Sequence, residues 1–142
     1  YINNYLATYS GVDHYMKHMI DLAKEKGYSE TLFKRRRYLP ELSSSNHMLR
    51  SFGERVARNM PIQGTAADII KIAMIRVDRR LTEENMKSRL ILQVHDELIV
   101  EATDDEADKA LAIVTEEMEN ACQMKVKLRA DGKIGRTWYD AH

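Results

Sequence analysis

The sequence predicts an α+β fold in which helices outweigh two antiparallel β-hairpins, and three observations predict it. Apolar residues recur at helical spacing over long stretches, above all from His47 to about Leu81. From Leu90 to Val100, two runs of strand-forming residues (Leu90 to Val94 and Leu98 to Val100) flank the polar trio His95-Asp96-Glu97, which reads as a hairpin with its charge at the tip. Tyr28 to Leu39 repeats that arrangement around Lys34-Arg35.

The helical part opens with Tyr1 to Tyr9, where Ile2, Tyr5, Leu6 and Tyr9 share a face and Ser10-Gly11 is the expected stop. Val12, Tyr15, Met16, Met19, Ile20 and Ala23 mark a second helix, with Gly27 as its C-terminal stop. The pattern begins in mid-course, without a cap or an initial methionine, so a piece of a longer chain is expected. Strand residues Tyr28 to Phe33 and Arg36 to Leu39 follow, and the run Lys34-Arg35-Arg36-Arg37 reads equally as a solvated charge cluster or as phosphate contacts. Ser43-Ser44-Ser45-Asn46 is a polar linker rich in N-cap residues.

The long helical pattern from His47 contains Pro61, which removes an amide donor and crowds the preceding turn, so a kink or break is expected near Ala57 to Gln63. Gly64 just beyond it allows close approach of another backbone or a ligand. Arg55, Asn59 and Gln63 recur every four residues and line up on one polar face. Thr103 is the expected N-cap of a later helix whose buried stripe is Ala107, Ala110, Leu111, Val114, Met118 and Ala121. Val126, Leu128 and Ala130 alternate as a strand.

Composition narrows the class. With 44% hydrophobic and 31% charged residues over 142 positions, the chain can bury a real core and is not a disordered polyelectrolyte. No apolar run approaches a membrane span, and no N-terminal signal pattern is present. The single cysteine, Cys122, excludes an internal disulfide and a cysteine-based zinc cluster and fits a reducing cytoplasm. Zero net charge hides an asymmetry: residues 1–95 carry 16 Lys and Arg against 10 Asp and Glu, a net +6, and residues 96–142 carry −6. The basic part suits a phosphate-bearing partner, with a solvated face as the alternative. No internal repeat, Walker-type glycine loop, Ser-His-Asp pattern or paired-His metal helix is recognised.

The hairpin tip carries the chemistry. Two-residue hairpin loops favour Asn-Gly, Asp-Gly or Gly-first pairs because their turns need positive φ. His95-Asp96 has no glycine, so something other than turn chemistry accounts for these residues, and adjacent carboxylates on a rigid turn suit a hard divalent cation such as Mg2+. A solvated, locally hydrogen-bonded turn is the alternative.

Taken together, QVHDEL, the upstream ERVARNMPIQGTAADIIKIAM (Glu54 to Met74), TLFKRRRYLPEL (Thr31 to Leu42) and the closing GRTWYDAH (Gly135 to His142) resemble the bacterial DNA polymerase I family, a branch of the family A DNA polymerases. The likeness covers essentially the whole chain, in the family's order and spacing. It implies that residues 1–45 correspond to the C-terminal part of the fingers and 46–142 to the C-terminal part of the palm. The implied architecture is an antiparallel palm sheet with a carboxylate-bearing hairpin packed against helices, plus a helical and hairpin remnant of the fingers.

The same resemblance implies template-directed addition of dNTPs to a primer 3′-hydroxyl by two-metal nucleotidyl transfer, with primer-template DNA, dNTP and the remainder of the polymerase chain as partners. Asp96 matches a metal ligand, Glu97 a carboxylate beside the metals and His95 a residue near the primer terminus. Arg55, Asn59 and Gln63 match a helix lying on the minor groove, where donors meet acceptors common to all correct base pairs. Single-subunit RNA polymerases of this fold generally have serine where Glu97 stands, which favours DNA synthesis. The family usually has Gly or Asn at the position of Lys34, as suits a positive φ, so lysine there puts the turn geometry in question. The family's other metal-binding Asp and its nucleotide-gripping fingers helix match nothing in this sequence, so the isolated chain is expected to be inactive and prone to self-association. Two other readings stay open from the residues: a non-catalytic nucleic-acid-binding module, and a His-Asp phosphohydrolase, which needs further helical His and Asp ligands.

Overall fold

The computed structural model describes residues 2–142. Tyr1, with which the first predicted helix opened, lies outside the described residues. Helices α1 (Ile2–Thr8) and α2 (Ser10–Lys26) lead into a hairpin of β1 (Tyr28–Glu30) and β2 (Arg36–Tyr38). A short 3-10 turn (Pro40–Ser43) and the long helix α3 (His47–Glu83) follow. The second hairpin, β3 (Arg89–Val94) and β4 (Glu97–Glu101), precedes α4 (Ala107–Glu119) and the single turn α5 (Trp138–Ala141). Both hairpins are antiparallel. The chain divides into two compact units at Thr65/Ala66, and α3 contributes one half to each.

In the first unit the break between α1 and α2 falls at Tyr9 (φ −111°, ψ 60°), and Ser10-Gly11 begin α2 instead of ending α1. The Tyr5 and Tyr9 rings lie 4.9 Å apart across this break. Gly27 ends α2 as expected: at φ 79° its N–H reaches Ala23 O, the left-handed closure that costs glycine least. Ala23, Leu39, Leu42 and Ala57 are buried together, with Ile20 and Val56 packed against them. His14 and His18, four residues apart on α2, stack with ring planes 3° from parallel.

The first hairpin turns two residues earlier than predicted. Lys34 N bonds to Thr31 O at 3.0 Å and Thr31 N to Arg35 O at 2.9 Å, so Leu32-Phe33 form the turn and Lys34, at φ 67°, takes the left-handed position after it. The Thr31 hydroxyl decides this, because it accepts from both Phe33 N and Arg35 N at 3.2 Å.

Helix α3 runs through Pro61 as one element, so of the expected kink or break the break does not occur. Proline lacks the N–H that would bond to Ala57 O. The Ser29 hydroxyl donates to that buried carbonyl at 3.4 Å, so the hairpin replaces the missing helical donor. Thr65 adds a second tie: its hydroxyl donates to Pro61 O and accepts from Leu32 N at 3.0 Å.

In the second unit Val77, Leu81 and Ile113 form the buried core between α3 and α4, with Met86, Leu98, Val100 and Val114 around it. Arg80 ties the two helices together at the surface, bonding Glu84 at 3.2 Å, Glu116 at 2.6 Å and Glu117 at 3.1 Å. Thr103 is not the side-chain cap of α4. The residue before the helix is Glu106, whose carboxylate instead accepts from Lys87 N (3.1 Å), Ser88 N (2.9 Å) and Ser88 Oγ (2.6 Å). Residues 126–130 have no strand partner among the described residues. Alternation specifies an extended chain, but a ladder needs a free neighbouring edge, and the recorded tie is Ala130 N to Glu119 Oε1 at 3.1 Å.

The Glu106 geometry has a pH consequence. The Ser88 hydroxyl, with the Lys87 and Ser88 amides, holds the Glu106 carboxyl below its ordinary value of 4.5. A carboxyl depressed in the folded state stabilises fully above the unfolded value, and its contribution is lost as pH falls through the lower folded value. Protection of the Lys87 and Ser88 amides, corrected for intrinsic exchange, is therefore expected to fall below pH 4.5. Glu106→Gln should show the reduced protection at neutral pH too. Hydrogen exchange by NMR checks this; pH-independent protection in the parent would refute it.

Candidate functional site

The β3–β4 ladder pairs Val94 with Glu97, so the tip is the two-residue turn His95-Asp96 and Glu97 is the first residue of β4. A register shift between Leu90 and Leu92 places a bulge at Ile91, and a bulge bends and twists a strand locally. His95 sits at φ 50°, a left-handed conformation that costs a non-glycine residue about 1 kcal/mol. Its carbonyl accepts from Gln93 Nε2 at 2.5 Å, which braces the turn from the preceding strand.

Asp96 is exposed and makes no hydrogen bond or ion pair among the described residues. Glu97 is half-buried, and its Oε1 lies 3.6 Å from His142 Nδ1. The tip thus holds a strained residue and a carboxylate with no internal partner. The positive φ is what a two-residue hairpin turn requires, whereas the Asp96 carboxylate adds no contact that stabilises the hairpin.

These donors fit a hard cation in part. Mg2+ takes one or two protein carboxylates and completes an octahedral shell with waters and substrate phosphates. Asp96 has the right oxygen chemistry, but no group of three or more His, Cys, Asp or Glu side chains converges among the described residues. This hairpin offers part of a cation site.

The second predicted group lies on α3 in the first unit. Arg55, Asn59 and Gln63 are all exposed, and eight residues of helix carry them along about 12 Å. Asn59 and Gln63 keep their side-chain amides free of partners among the described residues, and the Arg55 guanidinium stands 6.0 Å from the Phe52 ring centroid. The opposite face of the same helix is occupied by the first hairpin. There a Cβ on Gly64 would come within 2.7 Å of Thr31 Cγ2, so this glycine admits the hairpin turn and not a ligand. The hairpin grips the back of α3 at Ala57 to Thr65 and leaves the polar front presented to solvent.

The basic run is largely consumed internally. Lys34 Nζ and Arg36 Nε lie 3.3 and 3.5 Å from Glu30, and the Lys34 ammonium is the main cause that holds the Glu30 carboxyl below its ordinary value. Arg36 also stands over the Tyr28 ring at 4.4 Å, and Arg35 donates to Gly64 O at 3.2 Å. Arg37 alone of the four has no partner among the described residues. Gln93, Ser29 and Thr65, which hold the two candidate surfaces in shape, escaped the sequence reading. Gln93 left a signal, as the one amide in an apolar strand; Ser29 and Thr65 left none.

Comparison with known proteins decides the family. The model of DNA polymerase family A matches residues 1–140. The chain belongs to DNA polymerase family A. Among relatives of this family A chain, DNA polymerase I of Geobacillus stearothermophilus is 52% identical over 141 residues and that of Bacillus caldotenax 51%. A solved structure, the POL domain of Pol1 from M. smegmatis in complex with DNA primer-template and dNTP, superimposes with a TM-score of 0.96 at 44% identity over 99% of the chain. The chain spans 16% of the length of the two curated relatives and 25% of the solved polymerase chain.

Proposed function

We propose that this family A chain is the part of a DNA polymerase I that carries the palm's carboxylate hairpin and its minor-groove helix, and that the whole protein is a DNA-directed DNA polymerase of cytoplasmic replication and repair. Residues 1–45 belong to the fingers and 46–142 to the palm in this reading. The observation that carries it is the exposed, unpartnered Asp96 carboxylate on a two-residue tip where His95 is held at φ 50°. The polymerase relatives, one of them solved with primer-template and dNTP, support the substrate class.

Within the intact polymerase, Asp96 would hold Mg2+, and the bound cations would supply Lewis acidity for nucleotidyl transfer. Glu97 adds negative charge beside that site from the end of β4. His95 faces the primer terminus. Arg55, Asn59 and Gln63 donate to purine N3 and pyrimidine O2, acceptors that every Watson–Crick pair presents in similar places. The exposed apolar side chains Ile91, Leu92 and Val126 offer a surface for the remainder of the polymerase chain, and in its absence for self-association.

Primer extension tests the reading. The full-length protein should incorporate dNTPs as the template directs, and the isolated 142-residue chain should incorporate none. In the full-length protein, Gln63→Ala removes one hydrogen bond, worth about 1 kcal/mol or roughly fivefold in rate, whichever matched pair is terminal. Mismatched termini, where the acceptor is already displaced, should lose less, so discrimination falls. Unchanged rates, or a defect confined to one base pair, would remove Gln63 from the minor groove; failure of the full-length protein to extend any primer would overturn the proposed activity.

A further inference from the structure

We propose that His14 and His18 form a two-imidazole site on α2 for a late first-row divalent cation, with Zn2+ as the reference ion. The two rings project from one face of the helix, 3° from parallel, with centroids 6.4 Å apart, and both residues are exposed. Neither ring is hydrogen-bonded or ion-paired to any described residue. Histidines four apart on a helix are the spacing with which helical sites hold zinc, and imidazole nitrogen suits Zn2+, Ni2+ and Cu2+ while Mg2+ prefers oxygen. Two nitrogens on one Zn2+ lie about 3.3 Å apart, within reach of small ring rotations at exposed positions.

The surroundings favour a cation. Asp21 and Glu25 continue the same stripe at helical spacing and are both exposed, so the face downstream of the rings is negative. The nearby cation, Lys17, is already held by Asp13 at 2.6 Å on the same helix. No third protein ligand converges on the pair among the described residues, so water completes the shell. Binding would staple one turn of α2. With the first imidazole bound, the second acts as an intramolecular ligand, a gain of roughly 10²-fold over one histidine.

The experiment is calorimetric titration of the full-length, chelator-stripped, Mg2+-free protein with Zn2+ alone, repeated for His14→Ala, His18→Ala and the double variant. The parent should bind one more equivalent than any variant, or bind one equivalent about 10²-fold more tightly. Cu2+ in the parent should give an electron paramagnetic resonance spectrum with two nitrogen ligands that the double variant lacks. Both side chains are exposed, so the variants should keep the parent's circular dichroism; if they do not, His14→Gln and His18→Gln replace them. Unchanged stoichiometry and affinity in the variants, or loss on substituting one histidine but not the other, would overturn the proposal.

Discussion

Asp96→Asn in the full-length protein is expected, on the proposed reading, to lower the rate of nucleotide incorporation by at least about 10²-fold and to leave primer-template affinity close to that of the parent. The substitution keeps the shape of the side chain and removes its charge. Because Asp96 makes no hydrogen bond or ion pair among the described residues, the hairpin loses no internal contact. The turn rests on the Val94–Glu97 pairing and the Gln93 amide on His95 O, and both survive. A structural turn carboxylate, the alternative, would change neither rate nor affinity. Single-turnover incorporation and equilibrium DNA binding, measured side by side, separate the two. A near-parental rate would show that Asp96 is not a ligand in the chemical step.

Gly64→Val is expected to destabilise the folded protein by about 2 kcal/mol, the cost of overpacking a closed contact. The new Cβ would lie 2.7 Å from Thr31 Cγ2. Thr31 is 2% exposed and cannot swing aside, since its hydroxyl accepts from Phe33 N and Arg35 N within its own turn. The hairpin must therefore move off α3, which breaks the Leu32 N bond to Thr65 Oγ1 and the Arg35 bond to Gly64 O. Gly64→Ala should cost less, because the helix propensity of alanine returns about 1 kcal/mol. Gly11→Ala is the control: nothing lies within 4 Å of a Cβ there, so that change should be neutral or stabilising. Denaturant unfolding of the three variants checks the order. Gly64→Val as stable as the parent would mean that the hairpin does not press on the helix.

The sequence by itself determined what depends on local periodicity and backbone chemistry. The helical stripes, the Gly27 stop and the polar tip between two apolar runs were all legible, because each follows from residues within a few positions of one another, whereas the left-handed residue at Lys34 was implied only by the family resemblance, since lysine itself does not call for it. The family was legible too, since its motifs run in order along nearly the whole chain. Tertiary structure alone decided whether α3 survives Pro61, because the replacement donor, the Ser29 hydroxyl, comes from 28 residues away. It also decided that Gly64 admits a hairpin turn, that Glu106 anchors the Lys87-Ser88 amides and that residues 126–130 lack a ladder. Each of these depends on which distant group fills an unsatisfied donor, acceptor or edge, and local pattern carries no record of that partner.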